Sequence, residues 1–282
     1  MKLFCMRKYL DAYAPSLGEL WFIMLALVCV GGSIVSGVIA FVSQFVLRLD
    51  STSLTTIAVA AYPCTFILAI PFIYFRARER YRLHSTPPHP WSATFGTMPA
   101  LLVFGWLLLL VPAFSTSIEP LTMWMPMPDF IKKLFDSFTQ SGWVSFISVV
   151  IMAPLLEEWL LRGVALKGLL QRGYSPVAAI CWSALMFGVI HMNPWQAIPA
   201  FSTGVLFGWV YWRTRSLWTT IFMHAVNNGI SFLITVLFPE LPEDVSTLDL
   251  VGPGNYPWVL SAAIAVSILI IWQLHKRLTP AS

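Results

Sequence analysis

Two adjacent carboxylates, Glu157 and Glu158, interrupt an apolar run that reads Pro154-Leu-Leu-Glu-Glu-Trp-Leu-Leu-Arg162-Gly163. A charged side chain at the centre of a membrane helix costs at least about 2.5 kcal/mol, so such groups serve function or pair with one another. Glu158 and Arg162 stand four apart with the glutamate first, the favourable order for an ion pair on one helical face. Glu157 points about 100° away from that pair and has no evident partner in the local sequence. Two further polar pairs follow at the same spacing. One is Phe187-Gly-Val-Ile-His191 and the other His224-Ala-Val-Asn-Asn228. Glutamate and histidine are side chains of proton transfer and of metal ligation, and asparagine offers hydrogen-bond donors. Taken singly, each has a structural use, as interhelical glue or a buried ion pair.

Helix arithmetic says whether these groups can meet. The turn after the glutamates falls near Gly173-Tyr174, with Glu157 about 16 residues before it and His191 about 17 after it, so the two reach similar depth at 1.5 Å per residue. His224 lies about 8–9 residues past the next turn on that side, at Arg215-Ser216, and Asn228 one turn deeper, near 18 Å. Depths of roughly 12–25 Å from that end predict one buried polar cluster shared by three helices.

The elements that carry the cluster are membrane helices. Of 282 residues, 57% are hydrophobic and only 11% charged, with a mean hydropathy of +0.74. Soluble domains carry about 25% charged residues. Apolar segments long enough, or nearly so, to cross a bilayer lie near 20–47, 54–75, 95–114, 143–170, 175–193, 195–213, 217–238 and 256–274. The first is too long for the apolar region of a signal peptide and reads as a retained helix. The expected fold is an all-α polytopic bundle of about eight transmembrane helices, a single membrane domain over 1–282. With both termini cytoplasmic, fourteen of the seventeen Lys and Arg fall at or toward the cytoplasmic side, all but Arg48, Lys132 and Lys133, as positive-inside topology requires. The outer loops then hold Asp50, Glu119, Asp129, Asp136, Glu240, Glu243, Asp244 and Asp249. Phe130 to Phe138 is expected to form a short amphipathic helix at the outer interface. Cys5, Cys29, Cys64 and Cys181 have neither disulfide nor metal-ligand spacing and behave as small hydrophobes. The net charge of +4 gives no reason to expect nucleic acid as a partner; membrane lipids and a protein or peptide substrate are expected instead.

The three polar motifs resemble the signature of the CAAX-protease and bacteriocin-processing (CPBP, or Abi) intramembrane proteases, EExxxR then FxxxH then HxxxN on successive core helices. All three are intact and in order here, within a core of residues 143–238. The resemblance implies an eight-helix membrane bundle and water-mediated peptide hydrolysis. It implies Glu157 as general base, His191 holding and activating the water, and His224 and Asn228 donating to the tetrahedral oxyanion. Glu158 and Arg162 would hold the helix and the charge balance. The implied substrates are prenylated CAAX ends, leader peptides or other membrane-protein segments. Compact loops point to a bacterial inner membrane.

A metal-assisted form would use zinc, with Glu157, His191 and His224 as ligands, since catalytic zinc takes three protein ligands and a water. No HExxH is present, and asparagine suits an oxyanion better than zinc, so hydrolysis without a cofactor is the expectation. A proton-coupled transporter using Glu157, His191 and His224 as a relay lacks the paired broken helices of an inverted repeat. A non-catalytic scaffold has no need of all three motifs.

Overall fold

The structure, a computed structural model, describes residues 8–83, 93–129, 131–133, 141–242 and 245–278. The expected interfacial helix of Phe130–Phe138 lies largely outside the described residues. Those described contain helices and turns and no strand. In lipid every backbone N–H and C=O must be paired within the chain, which leaves helices as the answer for long apolar runs.

In chain order the long elements are α1 Leu17–Val46, α2 Ser51–Ala60, α3 Ala69–Leu83, α4 Ala100–Leu121, α5 Trp143–Gln171, α6 Pro176–Ile190, α7 Pro194–Thr214, α8 Leu217–Leu237 and α9 Tyr256–Arg277. Their starts are written locally. Ser175 and Asn193 each cap the next helix through a side-chain oxygen, with proline at the first helical position after them, where its missing N–H costs nothing. The α5–α6 turn closes on Gly173 at φ +84°, the left-handed position that ends many helices and that glycine adopts without strain.

Five of these helices, α1, α4, α5, α8 and α9, are long and apolar enough to cross a membrane, and six spans result if α2 and α3 are one bent crossing. The protein is therefore an integral membrane protein with an all-helical fold. The eight segments expected from the sequence all form helices, but not all to the expected length. α6 has 15 residues, about 22 Å of helix against a hydrocarbon core of about 30 Å. The segment expected at 54–75 is not one straight span: the helix stops at Ala61, tightens into a 3₁₀ turn over Tyr62–Phe66 that carries Pro63, and resumes at a 43° bend.

The outer helices present large apolar side chains such as Ile34, Phe45, Leu101 and Ile268 outward, as lipid-facing surfaces do. α5 is the inner helix: 50% of its apolar window is buried, against 17–28% for the other four. One apolar core gathers α1, α3, α5, α6 and α7, and a second gathers α4, α7, α8 and α9. The α6–α7 hairpin is close-packed through glycines. A Cβ on Gly204 would stand 3.1 Å from Ala184 Cα, and one on Gly188 2.9 Å from the Ala197 carbonyl oxygen.

α5 is wound in π turns over Phe146–Met152 and Trp159–Leu166, on either side of the two glutamates. The first has a plain cause. Proline lacks the N–H and crowds the preceding turn, and Pro154 stands two residues past the widened segment, after Ala153. Ala153 N–H already reaches back five residues to Ser148. The next bond in that register would join residue 154 to Val149, and Pro154 cannot make it.

The N-terminal segment is clasped to the end of α5. Lys167 Nζ pairs with Asp11 Oδ1 at 2.6 Å, and Gln171 Nε2 donates to the Asp11 carbonyl at 2.9 Å. Beside them Glu19 takes Arg76 and Arg80, each at 2.9 Å, and the Tyr13 hydroxyl at 3.0 Å.

Candidate active site

Glu157 and Glu158 sit side by side on α5, 5% and 0% exposed, and their side chains go to different partners. Glu158 Oε1 accepts Arg162 Nη1 at 2.8 Å, the i,i+4 pair, with both side chains fully buried. The same oxygen lies 3.0 Å from His224 Nδ1 on α8. Arg162 Nη2 continues to the Gly204 carbonyl on α7 at 3.1 Å, and its guanidinium stacks over Phe187 and Phe207 at 5.0 and 5.6 Å. The pair ties α5, α7 and α8 together, although Glu158 Oε2 and Arg162 Nε are buried without a hydrogen-bond partner among the described residues.

Glu157 turns the other way. Its Oε1 accepts the Tyr62 hydroxyl, and its Oε2 lies 4.0 Å from His224 Nε2. Glu157, without an evident partner in the local sequence, has one 95 residues away, at the break between α2 and α3. No local pattern names it. The available signals were a proline inside an apolar span, which kinks or ends a helix, and a tyrosine at mid-span rather than at the interface.

His191 ends α6. Its Nδ1 lies 2.8 Å from the Phe187 carbonyl, which can only accept, so Nδ1 carries the proton and Nε2 is left with a lone pair in the neutral ring. The turn that follows is held in shape. Met192 adopts φ 55°, and Asn193 Nδ2 donates to the His191 carbonyl at 2.8 Å while its oxygen caps α7. Phe187 is more than a spacer in its motif. Its ring stands 5.2 Å from His191 and 5.4 Å from His224, besides carrying Arg162.

Asn228 is anchored on the backbone of α5. Its Nδ2 donates to the Val149 carbonyl at 2.9 Å, the carbonyl that Pro154 leaves unpaired in the π register. Its Oδ1 accepts Asn227 Nδ2 at 3.3 Å, and Asn227 Oδ1 accepts Ser115 Oγ at 3.0 Å. Among the described residues, its hydrogen bonds run to these groups and not to the glutamates or histidines. The structure thus joins Glu157, Glu158, Arg162 and His224 directly, brings His191 in through Phe187, and attaches Asn228 through the backbone of α5.

Residues 139–230 match the family model "Type II CAAX prenyl endopeptidase Rce1-like". The chain is also 33% identical over 105 residues to "Membrane-embedded CAAX protease MroQ" of Staphylococcus aureus (strain USA300). Through these residues the chain is similar to CAAX proteases. The alignment covers 34% of this chain and 40% of the staphylococcal protein. No solved structure matches. The matched stretch contains Glu157, Glu158, Arg162, Phe187, His191, His224 and Asn228, whereas Tyr62 and Ser115 lie outside it.

The same side chains are of the types that bind zinc. Both histidines commit Nδ1 to an acceptor, the tautomer that leaves Nε2 for a metal. The spacing does not follow: among the described residues no three His, Cys, Asp or Glu side chains stand close enough to share an ion. As arranged, Glu157, His191 and His224 do not make a metal site.

Proposed function

We propose that the protein is an intramembrane endopeptidase that cleaves peptide bonds of membrane-associated or lipidated substrates, with Glu157 as the base that activates water. The observation that carries this reading is the pairing of the two glutamates. Glu158 is fully buried and its Oε1 is held by Arg162 and His224, while Glu157 has Oε2 directed at His224 Nε2 across 4.0 Å. A separation beyond 3.5 Å between two polar groups suits a bridging water.

In the proposed reaction Glu157 takes a proton from that water as its oxygen attacks the scissile carbonyl carbon. The C=O electron pair moves onto oxygen. The C–N bond then breaks, the proton passes to the leaving nitrogen, and a carboxyl and an amino terminus result. His191 Nε2, left as an acceptor, holds the water. Oxyanion donation falls to His224 and Asn228. With Nδ1–H committed to Glu158, His224 donates from Nε2 only when the ring carries both protons, which sets an imidazolium between Glu158 and Glu157. Asn228 uses one amide hydrogen on Val149 and offers its second. Placing such donors in advance is what makes an oxyanion site effective.

The same reading takes all eight helical segments as crossings, with both termini cytoplasmic and the chain in a bacterial inner membrane. The histidine tautomers favour one second reading, a zinc-dependent form of the same hydrolysis, for which Glu157, His191 and His224 would have to close up.

The test compares membranes carrying wild type with membranes carrying Glu157→Gln at equal abundance, scored for new peptide termini in membrane-proximal segments, with and without chelator. Loss of a general base costs about 10²–10⁴-fold, so termini made by the wild type are expected to vanish in the variant and to persist under chelator. Termini that survive in the variant overturn the role of Glu157, and termini abolished by chelator favour the zinc form.

A further inference from the structure

The side chain that meets the proposed base comes from outside the family core. Tyr62 is contributed by the 3₁₀ turn between α2 and α3, and its hydroxyl donates to Glu157 Oε1. Several features of the sequence converge on bringing it there. Pro63 helps break the span, so that the turn displays the tyrosine inward instead of continuing a lipid-facing helix. Thr65 Oγ1 fastens the turn to the Tyr62 carbonyl at 2.7 Å. α1 lies against the turn at Gly31-Gly32, where a Cβ on Gly32 would stand 2.9 Å from Thr65 Cβ and 3.0 Å from the Thr65 carbonyl oxygen. Any larger residue there would push the turn off its seat.

We propose that Tyr62 is a positioning residue for peptide hydrolysis, holding Oε1 of Glu157 so that Oε2 is presented to the attacking water. The proposal rests on the hydrolase reading of the site. Without the phenol, the Glu157 side chain keeps rotational freedom about its terminal torsion, which is broad and weakly preferring. A base that must meet water and carbonyl together loses rate when its orientation is loosened. Tyr62 also makes the N-terminal helices part of the catalytic unit: residues 139–230 hold the base, and the α2–α3 break orients it.

The experiment uses the full chain in proteoliposomes with a cleavable membrane-peptide reporter. Tyr62→Phe is expected to lower kcat by roughly ten- to a hundred-fold, the worth of a hydrogen bond to a charged group, with KM within about twofold, since the contact lies on the base and not on the substrate. Restoring a phenol as 3-fluorotyrosine at position 62, which changes neither size nor fold, is expected to return kcat to within about threefold. In a Glu157→Asp background, whose carboxyl is one methylene short of the hydroxyl, Tyr62→Phe should cost less than about twofold, as expected for residues acting as a unit. A full additional loss there means a structural role and overturns the proposal, as does wild-type kcat in Tyr62→Phe. The two readings part cleanly. Activity retained in Glu157→Gln sinks the assignment of Glu157 as base and Tyr62 with it, no cleavage by the wild type sinks the hydrolase reading, and an inactive Glu157→Gln beside an unimpaired Tyr62→Phe sinks Tyr62 alone.

Discussion

His224 Nδ1 lies 3.0 Å from Glu158 Oε1, the oxygen that also receives Arg162. One carboxylate oxygen therefore sets both the tautomer of a histidine on α8 and the guanidinium of an arginine on its own helix. Removing one member of a fully buried charge pair strands the other. Arg162→Ala is expected to destabilise the protein by about 3–5 kcal/mol, read as a lowered midpoint of thermal unfolding in detergent. The Glu158→Ala/Arg162→Ala double variant should be less destabilised than the sum of its singles. Additive losses would mean that the pair is not one unit.

The link between Pro154 and Asn228 makes a compensating prediction. Asn228→Ala leaves the Val149 carbonyl without its partner, at a cost of about 1–3 kcal/mol. Pro154→Ala restores an N–H at position 154 and should recover part of that loss in the double variant. Equal stabilities of Asn228→Ala and Pro154→Ala/Asn228→Ala in thermal unfolding would refute the assignment of that carbonyl.

Gly204 has two reasons to be glycine, a backbone approach to Ala184 and a carbonyl held against Arg162. Gly204→Ala forces the α6–α7 hairpin apart and is expected to cost about 1–3 kcal/mol by overpacking. Gly105, around which there is open space, serves as the control: Gly105→Ala should leave the unfolding midpoint unchanged or raise it slightly.

Phe187 touches Arg162, His191 and His224 through one ring. Phe187→Leu keeps an apolar side chain but removes the aromatic face, and a desolvated cation–π contact is worth about 2 kcal/mol. Both the unfolding midpoint and the rate of reporter cleavage should fall. A variant with wild-type values for both would reduce Phe187 to filler.

What the sequence revealed were relationships carried by a single helix or by helix length. The Glu158–Arg162 pair follows from 3.6 residues per turn, and counting residues to the turns placed His224 within one polar cluster with the glutamates without giving their direct contact. Contacts that depend on an interruption were hidden. Tyr62 reaches Glu157 only because a span breaks at Ala61, and Asn228 is drawn to Val149 only because π winding and Pro154 expose a carbonyl. The spacing of His224 and Asn228 on one face of α8 did not report their hydrogen bonds, which go to Glu158 and to the α5 backbone. The count of eight segments came from hydropathy, but hydropathy does not report that α6 stops after 15 residues.

The Asp11–Lys167 clasp joins residues 156 positions apart. A chain made from its N-terminus delivers α1, α2 and α3 to the bilayer well before the ribosome has released the end of α5. Until then Asp11 has no Lys167, and the Tyr62 turn has no Glu157 to bind. Arrival of α5 closes both contacts, so seating of the Tyr62 turn and anchoring of the leading segment become one late event in biogenesis, and a nascent chain cut short before Glu157 holds neither.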